Sequence, residues 1–160
     1  MSATMNESPS VREKLFGSGD GRTILIVDNF LWIGELIAQG LKRQGYRALS
    51  VSDGREAQEL ILKHGGTNID LLITELELPL LAGKDLAECY QNKNPAGRVL
   101  VMSSYPVGTY QGRNTAYLRK PFSHESLVES IHELLADSET NSNRMDQMSY
   151  QNSGHSYESI

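Results

Sequence analysis

Five short runs of β-forming apolar residues alternate along this chain with segments whose apolar residues recur at helical spacing, and that alternation restricts the fold more than any other feature. The predicted strands are 23–27 (Thr-Ile-Leu-Ile-Val), 46–51, 71–74, 98–102 and a brief 117–120. The first reads as a strand buried on both faces, being apolar throughout rather than alternating. Between the strands, Ile33, Leu36, Ile37, Gly40 and Leu41 share one helical stripe, which Gly45 closes. Asp53 with Glu56 forms a capping-box-like start for a helix facing inward through Ala57, Leu60 and Ile61, and Gly65-Gly66 stops it. A third helix carries Leu86, Cys89 and Tyr90. Ser123 caps a last one facing inward through Leu127, Val128, Ile131, Leu134 and Leu135.

Strict β/α alternation implies an α/β fold: a parallel sheet with helices on both faces and right-handed crossovers. Five such units suggest a doubly wound, flavodoxin-like sheet with strand order 2-1-3-4-5, whose switch point lies beside the first and third strands. The segment 69–79, Ile-Asp-Leu-Leu-Ile-Thr-Glu-Leu-Glu-Leu-Pro, then becomes informative. Its apolar run stops at Glu75, and in open α/β sheets ligands sit just beyond such carboxyl ends. Asp28 closes the first strand in the same way. The segment between Ser103 and Tyr117 is close to the shortest crossover that holds a helix and contains Pro106, Gly108 and Gly112, so the fourth helix is expected to be short or missing.

Residues 1–21 are polar and end in Gly-Ser-Gly-Asp-Gly, which reads as a flexible arm; 138–160 are rich in Ser, Asn and Gln and read as a disordered tail; 22–137 are the expected folded domain. The net charge of −5 argues against an electrostatic nucleic-acid footprint. A single cysteine excludes an intrachain disulfide and fits a reducing compartment. No run approaches the roughly 20 apolar residues of a membrane span, and the first residues lack a secretory pattern. A cytoplasmic protein is expected.

In order along these elements the chain resembles the receiver domain of two-component response regulators. Asp28-Asn29 stands where the family has an acidic pair. Glu75 lies four residues before Pro79, as the phosphoacceptor Asp does, and Gly83 follows at similar spacing. Ser103 ends the fourth strand where the family has Ser or Thr, and Lys120-Pro121-Phe122 matches its Lys-Pro-Phe. The resemblance implies Asp28, Asn29, Glu75 and the backbone carbonyl of Glu77 as the Mg²⁺ ligand set. It implies Ser103 and Lys120 as phosphoryl-binding groups, Tyr117 as the aromatic switch residue, and a typically cis Lys-Pro bond. In that chemistry a carboxylate attacks a phosphoryl group held by Mg²⁺, and catalysis is mostly positioning and charge neutralisation.

Two departures bear on it. Asn29 offers a carbonyl oxygen but no charge, and one unit-charge pair at ~4 Å is worth about 4 kcal/mol gross at an effective dielectric of 20; Mg²⁺ affinity is expected to fall. Glu75 carries one extra methylene, about 1.5 Å, which pushes its carboxylate toward Lys120 and Ser103 and spoils an in-line geometry built for Asp. A phosphoryl group adds about −1.5 to −2 charge, which Glu75 imitates only in part.

Three readings of Glu75 stand open: a degenerate pocket kept for structure, a phosphomimetic lock, and a residue still phosphorylated. The implied function is that of a stand-alone, atypical receiver (a pseudo-receiver) that is not an enzyme and acts in phosphorelay-type signalling by protein–protein contact, with no DNA-binding or enzymatic domain fitting in the remaining residues. The alternative is an Mg²⁺-dependent phosphoacceptor served by a histidine kinase. A histidine kinase or a downstream signalling protein is the expected partner, without nucleic acid or membrane, and a homodimer is left open. A flavodoxin-like small-molecule binder is disfavoured by the lack of a Gly-rich phosphate loop after the first strand. His64, His124, His132 and His155 are scattered and read as surface or helix-end residues; Cys89 reads as core; Phe30 and Trp32 either cover the pocket rim or flank the first helix; Tyr150 and Tyr157 read as tail residues.

Overall fold

The computed structural model describes residues 21–106 and 112–136. Their elements run β1 (Thr23–Val27), α1 (Leu31–Arg43), β2 (Arg47–Val51), α2 (Gly54–His64), a 3₁₀ turn (Gly66–Asn68), β3 (Leu71–Glu75), α3 (Gly83–Lys93), β4 (Arg98–Ser103) and β5 (Thr115–Arg119). A last helix, α4, occupies 124–136. The strands form one parallel sheet in the order β2-β1-β3-β4-β5. This is the doubly wound order expected from the alternation.

Strand side chains point alternately to the two faces, so the sheet builds two cores. Ile24, Ile26, Leu71, Ile73, Leu100 and Met102 face α1 and α4 and meet Ile37, Leu41, Leu127 and Ile131. Leu25, Val27, Leu72, Val99 and Val101 face α2 and α3 and meet Ala57, Ile61, Leu86 and Tyr90. Each fully buried Leu or Ile contributes about 1.5–3 kcal/mol, which is why the central strands are apolar without alternation.

Local signals act where expected. The Asp53 carboxylate accepts from the Glu56 N–H at 2.8 Å and caps α2, and the Ser123 hydroxyl accepts from the Ser126 N–H at 3.1 Å at the start of α4. Gly45 and Gly65 take left-handed backbone where α1 and α2 end, with φ of 91° and 72°. Cys89 is half-buried against the second core.

Some expectations need correction. Leu36 is not on the inward stripe of α1 but 64% exposed; the buried positions are Gly34, Ile37, Ala38 and Leu41. Gly34 sets this rotation, since a Cβ there would lie 2.2 Å from the Ser50 hydroxyl; the helix presses its glycine, not a leucine, onto β2. β5 starts at Thr115, two residues earlier than predicted, and ends before Lys120. The β4–β5 crossover, where a short or missing helix is expected, lies partly outside the described residues. Its described parts, 104–106 and 112–114, are bend and turn. The arm and tail expected at 1–21 and 138–160 fall outside the described residues, save Gly21. Among the described residues no helix is long and apolar enough to cross a membrane.

Candidate functional site

The sheet register brings the strand ends level. Val27 pairs with Thr74, Glu75 with Met102, and Ser103 with Arg119. The residues that follow β1 and β5 therefore enter the same space as Glu75: Asp28 after β1 and Lys120 after β5. The main chain continues the ladder one step further, with Lys120 N–H donating to the Ser103 carbonyl at 2.9 Å and Asp28 N–H to the Val51 carbonyl at 3.2 Å. The Lys120–Pro121 peptide is cis, as the sequence resemblance implies.

Four groups meet there. The Lys120 ammonium bonds and ion-pairs with Glu75 Oε1. It stands 3.8 Å from Asp28 Oδ2. The other Glu75 oxygen, Oε2, accepts from the Asn29 backbone N–H at 3.3 Å. Both oxygens of Glu75 thus have protein donors. Asp28 is wholly buried; its Oδ1 accepts from the Phe30 N–H at 2.8 Å, while its Oδ2 has no hydrogen-bond partner. Burial chiefly, then the neighbouring Glu75 charge, raise the Asp28 pKa above the usual carboxylate value; the Phe30 N–H and Lys120 oppose them.

Above these groups lies an open cavity of about 170 Å³, lined by Asn29, Glu75, Glu77, Ser103, Lys120 and four others, Leu76, Met102, Ser104 and Tyr105. Ser103 is nearly buried, and its Oγ accepts from the Tyr105 N–H at 3.1 Å. A hydroxyl, an ammonium and a carboxylate therefore share one cup, with a neutral amide and the exposed Glu77 at its edge. Gly83 allows this packing. Its N–H donates to the Leu76 carbonyl at 2.9 Å, and a Cβ at this position would lie 1.9 Å from the Glu75 carbonyl oxygen.

Tyr117 lies apart. It sits half-buried in mid-β5, opposite Val101, against the core formed with α2 and α3. Phe30 and Trp32 are 54% and 68% exposed and do not line the cup. Phe30 acts through its main chain instead. Sequence reasoning missed Tyr105 and Ser104 at the rim; they follow Ser103 directly, and that adjacency was the available signal. The backbone N–H of Asn29, which sequence reasoning did not single out, makes a contact with Glu75 of its own. Among the described residues no three His, Cys, Asp or Glu side chains converge as a metal cluster. The oxygen donors near Glu75 are two carboxylates, one of them held by the ammonium, with the Asn29 amide beside them.

Known proteins share this arrangement of elements. A family model described as "Response regulator receiver domain" matches residues 24–132. The crystal structure of the receiver domain from the hybrid histidine kinase CckA is 27% identical, with a TM-score of 0.62 over 71% of this chain and 98% of that one. A CheY-like receiver domain protein from Methanospirillum hungatei JF-1 is 23% identical, with a TM-score of 0.66 over 75% of this chain and 98% of that one, a likeness of fold. The uncharacterized transcriptional regulatory protein YrkP of Bacillus subtilis is 29% identical over 108 residues, which is 65% of this chain and 45% of that protein. The chain spans about half the length of the curated relatives it matches.

Proposed function

From the premise that the chain belongs to the response regulator receiver family, we propose that it is an atypical receiver whose signalling state is held by the Glu75–Lys120 ion pair rather than by phosphorylation. The observation that carries this reading is the engagement of both Glu75 carboxylate oxygens, one by the Lys120 ammonium and the other by the Asn29 N–H. An attacking carboxylate needs an oxygen free to approach phosphorus in line. Here the longer side chain spends its reach on the lysine. Glu75 then acts as a standing, singly charged partner for Lys120, and output runs through contact with a protein partner of the kind receivers use, a histidine kinase or a downstream signalling protein.

Receiver domains generally take Mg²⁺ at the phosphorylation site. The residues here suit it in kind and fall one charge short. Asp28, whose Oδ2 is buried without a hydrogen-bond partner, would hold it with Glu75, the Asn29 amide and the Glu77 carbonyl. Bound there, the ion would neutralise carboxylate and phosphoryl charge. Loss of one carboxylate, and an Asp28 whose raised pKa disfavours the charged form, weaken that site. The second reading, an Mg²⁺-dependent phosphoacceptor, is favoured by that unsatisfied Oδ2 together with Ser103 and Lys120 in the cup.

Amide NMR with Mg²⁺ and beryllofluoride, or acetyl phosphate, separates the two. The expected result is no saturable shift near Glu75, Ser103 and Lys120 in this chain, and a response in the Asn29→Asp/Glu75→Asp variant. Saturable shifts at those amides in the unaltered chain would establish the phosphoacceptor reading instead.

A further inference from the structure

The outward face of α1 carries a projection and a hollow side by side. Gly34, Ile37, Ala38 and Leu41 are buried against the sheet. The opposite stripe belongs to Trp32, Leu36, Gln39 and Arg43, whose i, i+4, i+7, i+11 spacing is that of a helix-pairing seam. All four are exposed, Trp32 by 68% and Leu36 by 64%. Beside them lies a depression of about 340 Å³ lined by Leu36, Gln39, Gly40, Arg43, Gln44 and His124. The lack of a side chain at Gly40 keeps the His124 ring close, since a Cβ there would lie 2.6 Å from it. A lone exposed leucine is ordinary, but an exposed tryptophan and leucine one turn apart, next to a hollow, mark a surface that is covered in use.

Helix geometry identifies what covers it. Trp32 and Gly40 stand four residues before and four after Leu36, about 6 Å away along the axis in opposite directions. They are also turned about 40° to opposite sides of it, because four residues overshoot one full turn by that angle. A two-fold axis through Leu36 therefore carries Trp32 of one copy onto Gly40 of another, and the reverse. The face is complementary to itself, as an isologous contact requires. Charge agrees with this arrangement. The helix starts just after Asn29, which lines the cup with Glu75 and Glu77, and it ends in Lys42 and Arg43. The two-fold sets the helices antiparallel, so the basic end of each lies toward the acidic cup of the other. Their opposed dipoles add to the attraction.

We propose that this face of α1 docks a second copy of the chain, with Leu36 on the two-fold axis and each Trp32 seated in the other copy's depression between Arg43 and His124. Trp32 is then the anchor of the contact, with its indole ring against a guanidinium. An aromatic side chain buries about 150–250 Å². With Leu36 and the stems of Gln39 and Arg43 the contact comes to roughly 500 Å² per copy, short of the ~800 Å² of a standard interface. The dimer is therefore reversible, with a dissociation constant on the order of 10–100 μM. Its occupancy follows the amount of chain present, and any other protein that uses the α1 face competes with it. The inference is independent of how Glu75 is read.

Trp32 is the only tryptophan of the chain, so its fluorescence reports on the contact directly. The test is sedimentation equilibrium and tryptophan emission on the full chain, from tenfold below to tenfold above that dissociation constant. Mass should double with concentration, and the emission should move to shorter wavelength along the same curve. Leu36→Glu, which sets two carboxylates on the axis, and Trp32→Ser should each weaken association at least tenfold by mass. Both positions are exposed, so an unchanged far-ultraviolet circular dichroism spectrum is expected for each variant. A chain that stays monomeric throughout, leaving the face to a different protein, would overturn the proposal. So would a dimer indifferent to both variants, or a doubling of mass without a change in Trp32 emission.

Discussion

Replacing Lys120 by Met keeps the length of the side chain and removes its charge, leaving two carboxylates facing each other at the end of the sheet. At the observed 3.8 Å, the attraction between Lys120 and Asp28 is about 4 kcal/mol gross at an effective dielectric of 20. Glu75 adds a comparable attraction. Against these stand the desolvation cost of a half-buried ammonium, which the variant no longer carries, and solvent screening, since the Lys120 side chain is 25% exposed. A net loss of about 2–3 kcal/mol at pH 7 is expected, less than for a fully buried pair. It also has a pH signature. Lys120 is one of the groups that lower the Asp28 pKa, so the variant raises further a value that burial already raises. A carboxyl with a raised native pKa binds its proton in the folded state first, so stability grows as pH falls through the raised value and stops growing below the ordinary one. The Lys120→Met deficit should therefore shrink between pH 7 and pH 5. The assay is urea unfolding at both pH values in buffer free of divalent cations. Adding Glu75→Gln, which removes the repelling neighbour, should recover about 1 kcal/mol of the loss. A variant within 0.5 kcal/mol of the parent at pH 7, or a deficit that grows on acidification, would refute this account of the cup.

Gly83→Ala drives a Cβ into the Glu75 carbonyl, and because the obstacle is backbone the expected loss is about 1–3 kcal/mol, with displaced Glu75 and Leu76 amide resonances. Tyr90→Phe deletes a buried hydroxyl that donates to the Ile69 carbonyl at 2.6 Å; chemical denaturation should show about 1–2 kcal/mol lost with an unchanged m-value. In an alkaline titration followed by absorbance, burial should make Tyr90 ionise later than exposed tyrosines, because its pKa is raised mainly by desolvation. Asp53→Ala removes the acceptor for the Glu56 N–H and should lower stability by about 1 kcal/mol, with the first turn of α2 showing faster amide exchange.

What the amino-acid order determined by itself was local in origin. Apolar runs bounded by Gly, Pro and acidic residues set strands of five or six residues, and Asp53 and Ser123 marked helix starts. The alternation of the two periods left one economical sheet. Asp28, Glu75 and Ser103 could be placed at strand ends on that basis, because a strand's end is visible where its apolar run stops, whereas Lys120 was placed by the resemblance of Lys120-Pro121-Phe122 to the family's Lys-Pro-Phe. What tertiary structure decided was distance and direction between segments far apart in the chain. Glu75 and Lys120 are 45 residues apart, and only the register of β3, β4 and β5 makes them partners. The same holds for Asn29, whose backbone rather than side chain meets Glu75, and for Leu36, turned outward because Gly34 fits against Ser50. A helical stripe read from sequence fixes which residues share a face but not the rotation of that face about the helix axis; close packing against one particular neighbour sets that angle.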